Sequence, residues 1–308
     1  MRWARALENI PTKLSMPEKP FMLSNSVPKT LVASSSPMIR SAILPSITFC
    51  WFSTSWMRAF SMSKSAAPIC WSVSANRLPC RSYVAPVSTN VVGVLIPSIS
   101  NTVFADVLRG IHDRAEKTDL QVQFSNTRYS PVEEERLIQL YLSQSPAAMI
   151  VVGIDQTPAA AEMLRAASLP IVQIMELGPD PFDMMVGLSQ AHAGRAMGEH
   201  LLSAGYRRIA FLAARLDPRS NRRMAGFRAL MAETGLDDES LIVQTKAPSS
   251  VAMGCELLRQ LMRQRPDVDA VFCNNDDIAL GALFECQRMG IKVPEQLGLA
   301  GFNDFEMM

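Results

Sequence analysis

The stretch "VVGVLIPSISNTVFADVLRGIHDRAEKT", residues 91–118, places two hydrophobic periodicities side by side. Val91 to Ile96 is a short apolar run rich in β-branched side chains, the pattern of a strand buried on both faces. From Val103 the apolar residues fall at Val103, Val107, Leu108, Ile111 and Ala115, which is a helical stripe, and Asn101 stands ahead of it as a good cap. A buried strand joined to an amphipathic helix by a short polar connector is the repeating unit of a wound parallel sheet.

The unit recurs downstream. Strand "LQVQF" leads to helix "VEEERLIQLYLSQ", strand "AMIVVG" to helix "PAAAEMLRAAS", and then comes strand "PIVQIM". The pattern restarts after "DMMVGLSQ". Helix "AGRAMGEHLLSAG" precedes strand "RRIAFLAA", and helix "NRRMAGFRALMAETG" precedes strand "LIVQT". Helix "SVAMGCELLRQLMRQ" then precedes strand "AVFCN", and helix "DIALGALFECQRMG" precedes strand "LGLAGF". The expected fold is α/β, with two lobes of parallel sheet wound by right-handed crossovers, residues 91–188 and 189–308.

Residues 1–90 have a different character. They contain no Gly and no Asp, yet carry 17 Ser, nine Pro and all four Trp. Ten Lys/Arg against two acids give this segment +8, whereas 20 against 27 give the remaining residues −7. Tight turns lack their usual residues here, and Pro11, Pro17, Pro20, Pro28, Pro37, Pro45, Pro68, Pro79 and Pro86 interrupt any helical period. The expectation is an irregular N-terminal segment, too apolar and aromatic around "ITFCWFSTSWMRAF" for a disordered tail. The 17 residues "SAILPSITFCWFSTSWM" are short and polar for a membrane span of ~20 apolar residues. No signal-peptide pattern opens the chain, so a cytoplasmic location is expected. The ten positive charges of the segment are spread without a recognition-helix pattern.

Other function classes are excluded by missing chemistry. The six Cys form no Cys-x-x-Cys pair and no metal-ligand cluster with His112, His192 or His200, which reads as buried free thiols, no metal and no cofactor. There is no G-x-S-x-G elbow, no phosphate-cradling glycine loop and no His–carboxylate pair at a strand end, so no enzyme is expected.

In wound parallel sheets ligands sit beyond the carboxyl ends of the strands. Those ends carry Ser98 and Asn101, with Phe104 one turn into the helix; Glu176; a cationic run ending in Arg223; Asn275 and Asp276; and Asn303 with Asp304. Paired amides and carboxylates chelate hydroxyls, and an Arg grips a carboxylate with two parallel hydrogen bonds. Asp276 also stands where an N-cap for the following helix is expected, one oxygen capping and the other accepting from a hydroxyl.

The pieces "GVLIPSISNTVFADVLRGI", "AMIVVG", "AGRAMGEHLLSAGYRRIAFLAA", "RRMAGFRALMAETGL" and "DAVFCNNDDIALGALFECQRMGIKVPEQLGLAGFND", in this order, resemble the effector-binding core of the lactose-repressor (LacI/GalR) family of bacterial transcription regulators. "PFDMMVGLSQAHAGRAM" and "ALFECQRMGIKVPEQLGLAGFNDFEM" are most similar to the gluconate-type repressors. The resemblance implies a periplasmic-binding-protein-like core that closes on a small polar effector, a sugar acid or sugar, and dimerises through that core. It also implies operator DNA as a partner. The alternative is a sugar-binding protein of a transport system, which needs a secretory signal. Two departures follow from the resemblance. Nothing in residues 1–90 matches a helix-turn-helix, and a segment free of Gly and Asp in that place is what a shifted reading frame produces. The family also continues past "GFND", so the second lobe is expected to be truncated.

Overall fold

The computed structural model describes residues 89–305 and, as backbone alone, residues 72–75. The expectations for residues 1–90 therefore lie outside the described residues, apart from those few positions. All described residues belong to one unit of the chain.

The first lobe is built on a six-stranded sheet. Its strands are β1 (Ser72–Ala75), β2 (Val91–Ile96), β3 (Gln121–Asn126), β4 (Ala148–Val152), β5 (Ile171–Ile174) and β6 (Met184–Gly187), in the spatial order β1-β6-β5-β4-β2-β3. Strands β2 to β6 are parallel, and β1 pairs antiparallel with β6, Ser72 opposite Gly187 and Ala75 opposite Met184. Helices α1 (Thr102–Ala115), α2 (Pro131–Ser143) and α3 (Pro158–Ala166) make the crossovers. Each starts at a side-chain cap, Asn101, Ser130 and Thr157 respectively. The unbroken apolar runs are explained by two cores, one on each face. Val94, Ile96, Phe104, Val107 and Ile150 fill one, and Leu95, Ile138, Met149, Val151 and Leu164 fill the other. Strand β6 lies inside "DMMVGLSQ", which the sequence reading treated only as a boundary. Four residues show no usable period.

The second lobe holds β7 (Ile209–Ala214), β8 (Ile242–Thr245), β9 (Ala270–Cys273) and β10 (Gly298–Ala300), all parallel, in the order β10-β9-β7-β8. Around it pack α4 (Gln190–Ser203), α5 (Pro218–Glu233), α6 (Val251–Gln264) and α7 (Asp276–Met289). Phe211, Phe227 and Phe272 form an aromatic knot beneath α4 and α5, with centroids 4.9–5.8 Å apart.

Two helix pairs in this lobe cross at glycines. A Cβ on Gly194 of α4 would stand 1.9 Å from the Arg223 carbonyl, and one on Gly226 of α5 would stand 1.9 Å from the Ala191 carbonyl. Gly254 of α6 and Gly281 of α7 repeat the arrangement, with 2.3 Å to the Ile278 carbonyl and 2.0 Å to the Val251 carbonyl. Backbone meets backbone at both crossings, and any side chain would force the pair apart. The α4–α5 crossing fixes the position of Arg223 itself.

Cys273 and Cys286 are buried free thiols and Cys255 is half-buried. Among the described residues no helix is long and apolar enough to cross a membrane, and no group of three or more His, Cys, Asp or Glu is placed to hold a metal ion.

Candidate functional site

The carboxyl ends of both sheets face a common cleft. Asn101, Phe104, Tyr129 and Met175 line it from the first lobe, and Asp217, Arg219, Ser220, Arg223, Ser249, Asn274, Asn275, Phe302 and Asn303 from the second, with Gln190 between them. The enclosed space is about 70 Å³, against roughly 300–1,000 Å³ for ordinary small-molecule sites. In this arrangement the lobes stand too near each other for a sugar-sized molecule, which needs them further apart.

Five of the nine residues expected at the site line the cleft. Asn101 caps α1, its Oδ1 accepting from the Val103 N–H at 3.1 Å. Phe104 is fully buried, with the Arg219 guanidinium 5.5 Å from its ring centroid. Asn275 caps α7, accepting from the Ile278 N–H at 3.1 Å and donating to Ser249 Oγ at 2.7 Å. Asn303 sits at a positive φ of 128° at the end of the β10 loop.

Arg223 forms the floor. Its Nε donates to Gln190 Oε1 at 3.1 Å, Nη2 to the same oxygen at 2.5 Å, and Nη1 to the Asn274 carbonyl. The Phe302 ring lies against the guanidinium, 3.3 Å from carbon to centroid. Every hydrogen-bonded acceptor is neutral. Burial pulls the Arg223 pKa down to about 9, and nearby Arg219 pushes the same way. The Asp217, Glu176 and Asp276 carboxylates act the other way without bonding to it, so the guanidinium has nearby negative charge but no anionic hydrogen-bond acceptor.

The other four expected residues are not brought into the cleft. Ser98 orders the turn before α1, accepting from the Asn101 N–H at 3.2 Å. Glu176 is 1% exposed and already engaged, accepting from the Gln190 N–H at 3.2 Å and pairing with Arg222 at 3.1 Å. Asp276 is not the cap of α7, which is Asn275. It is instead the first helical residue, buried, and accepts from the Phe305 N–H at 2.8 Å, so it ties down the loop after β10. Gly301 makes that tie possible, because a Cβ there would stand 2.2 Å from Asp276 Oδ1. Burial raises the Asp276 carboxyl above its usual range. Asp304 has a φ of 59° and is exposed.

Three cleft residues carry no strand-end signal of their own in the sequence, and a fourth, Arg219, belongs to the cationic run that ends in Arg223. Tyr129 follows the carboxyl end of β3, and burial raises its phenol pKa. Asn274, beside the expected Asn275, is 1% exposed and ties β9 to β7 through the Ala214 carbonyl at 3.1 Å. Gln190, 4% exposed, accepts from Arg223 and donates to the Met175 carbonyl at 3.1 Å, linking the lobes. Arg219 places a second guanidinium on the wall, one helical turn before Arg223.

Comparison with known proteins agrees with this architecture. The chain is 42% identical over 226 residues to the HTH-type transcriptional regulator GntR of Pseudomonas aeruginosa, covering 73% of this chain and 66% of that protein. It is 34% identical over 217 residues to the HTH-type transcriptional regulator IdnR of Escherichia coli, covering 70% and 65%. The chain thus spans just under two thirds of these curated relatives. Among solved structures, a LacI family transcriptional regulator from Silicibacter pomeroyi superposes with a TM-score of 0.69 at 39% identity, covering 71% of this chain and 66% of that one. The transcription regulator GntR from Chromobacterium violaceum superposes at 0.67 with 41% identity, covering 70% and 79%. These relatives are regulators, which overturns the alternative of a transport-system binding protein. Residues 89–307 match the family described as periplasmic binding proteins and sugar binding domain of LacI family, and the chain belongs to it.

Proposed function

We propose that this chain is a cytoplasmic transcriptional repressor of the LacI type whose cleft binds a polyhydroxylated monocarboxylate, gluconate or a close relative. The observation that carries the ligand class is Arg223, a buried guanidinium whose hydrogen-bond acceptors are all neutral, at the floor of a cleft that amides and hydroxyls line together with Asp217 and Arg219. A ligand carboxylate would give that guanidinium the charge-assisted hydrogen bonds its neutral acceptors do not. Asn101, Tyr129, Ser249, Asn275 and Asn303 offer donors and acceptors to a row of hydroxyls, and the Phe104 and Phe302 rings wall the carbon chain. Binding shifts the balance between open and closed lobes. In a homodimer assembled through the core, that shift would change the spacing of paired DNA-binding heads, for which residues 1–90 offer no recognisable helix-turn-helix.

Calorimetric titration of the purified chain with D-gluconate and with D-glucose tests the ligand class. Gluconate is expected to bind, and Arg223→Met to weaken it about 100-fold or more, in keeping with charged hydrogen bonds of roughly 1.5–3 kcal/mol each. Equal losses for gluconate and glucose would remove the carboxylate from Arg223. A gel-shift titration over salt, with and without gluconate, tests the operator side.

A further inference from the structure

Next to Arg223 in sequence, Arg222 leaves the cleft and reaches the opposite lobe. Its Nη1 lies 3.1 Å from Glu176 Oε2 and 3.1 Å from Asp155 Oδ2, and its Nη2 bonds Asp155 Oδ1. Arg222 belongs to α5 of the second lobe. Asp155 follows β4 and Glu176 follows β5, both in the first. One guanidinium therefore spans the gap between the lobes at the cleft rim, on two carboxylates carried by separate loops. Glu176 adds a second tie, because its other oxygen accepts from the Gln190 N–H at the start of α4. None of Arg222, Asp155 or Glu176 lines the cleft.

We infer that Arg222 is a positioning residue that clasps Asp155 and Glu176 across the lobes, biases the cleft toward its closed state, and so sets effector affinity without touching the effector. The geometry requires both lobes to be together. When they part, Arg222 moves away with α5 while both carboxylates remain with the first sheet. A ligand that needs the closed state binds with an apparent affinity scaled by the fraction of molecules already closed. Breaking the clasp lowers that fraction. The Arg222 and Asp155 side chains are 30% and 37% exposed, so water and salt screen the pair and the bias is modest. The affinity arm of the test rests on the proposed effector; the conformational arm does not.

The full chain is compared with Arg222→Gln, Arg222→Lys and Asp155→Asn. Without effector, small-angle scattering and hydrogen exchange of residues 153–157 and 175–190 read closure directly. Arg222→Gln and Asp155→Asn are expected to raise the radius of gyration and speed exchange in those segments. Calorimetry with D-gluconate should show affinity about five-fold weaker in both, and largely recovered in Arg222→Lys. A role confined to folding would lower the melting temperature without this affinity pattern or its rescue. Should Arg222→Gln fail to fold, Asp155→Asn breaks the same clasp from an exposed position. Scattering and exchange identical to the parent in the folded variants would overturn the inference, as would opening with no change in gluconate affinity. If the parent chain fails to bind gluconate, the proposed effector falls, and scattering and exchange alone judge the clasp.

Discussion

Arg222 and Arg223 are consecutive residues of one helix, yet the cleft floor and the cleft rim treat the same side chain in opposite ways. At the floor, Arg223 is buried among neutral oxygens, its pKa pulled down to about 9. At the rim, Arg222 is 30% exposed, and although burial lowers its pKa, the Asp155 and Glu176 carboxylates together outweigh it and raise the pKa. The floor gives its guanidinium no directly bonded anion, and the rim gives one guanidinium two. A binding site needs the first condition and a structural tie needs the second. Charge state alone does not separate a ligand-binding arginine from a scaffolding one; its existing partners do.

Three changes break or sharpen this contrast, beginning with the largest effect. Gly194→Ala disrupts the floor by displacing the Arg223 backbone, since the added Cβ would stand 1.9 Å from its carbonyl oxygen. Overpacking of this kind costs roughly 1–3 kcal/mol or somewhat more. A domain of this size then melts lower by about 2–4 °C per kcal/mol. The expected outcome is a drop of several degrees together with weakened gluconate binding, read by calorimetry; unchanged binding would separate the floor from the helix crossing.

Asn275→Ala removes the cap of α7 and the bond to Ser249, at a cost of about 1 kcal/mol. A melting-temperature drop of about 2–4 °C is expected, with the Arg222 clasp untouched in hydrogen exchange.

The smallest effect is the pH dependence of Glu176. Burial raises its carboxyl above the usual range, outweighing the Gln190 N–H and Arg222, which act the other way. A carboxyl whose folded pKa is raised holds its proton more tightly when folded. Its contribution is fully present below the unfolded pKa and is lost as pH rises through the folded one. Asp276, Asp277 and Glu134 are shifted in the same direction, so the difference between parent and Glu176→Gln is the informative quantity. The parent should gain stability relative to the variant on going from neutral to acidic pH. A flat difference would mean that Glu176 stays charged and that the rim is a stronger ion pair than burial suggests.

Much of the fold was legible because buried parallel strands announce themselves as unbroken apolar runs and their crossover helices as capped stripes. Asn101, Phe104, Arg223, Asn275 and Asn303 were legible for a related reason: wound sheets present their strand ends to the cleft. That rule locates a residue along a strand but says nothing about where its side chain turns. Glu176 leaves the strand end toward Arg222, Asp276 turns to the loop after β10, and Asp304 turns outward at positive φ. The cap of α7 was misplaced by one residue because Asn275 and Asp276 are both competent caps, and only backbone geometry distinguishes the extended position from the first helical one. Gln190 and Asn274 gave no signal because their roles depend on partners 33 and 60 residues away.

The reciprocal glycines of the second lobe have a mechanical consequence. With backbone against backbone at Gly194 and Gly226, and again at Gly254 and Gly281, each helix pair is held close at its crossing, and ion pairs Arg195–Glu233 and Arg259–Glu285 join the same helices further along. The four helices then act as two stiff struts bolted to one plate. The short connection between Gly187 and Gln190 carries the chain from one sheet toward the other, and its Gln190 end is tied to Glu176, Met175 and Arg223, so the strut and the passage between the sheets share one anchor.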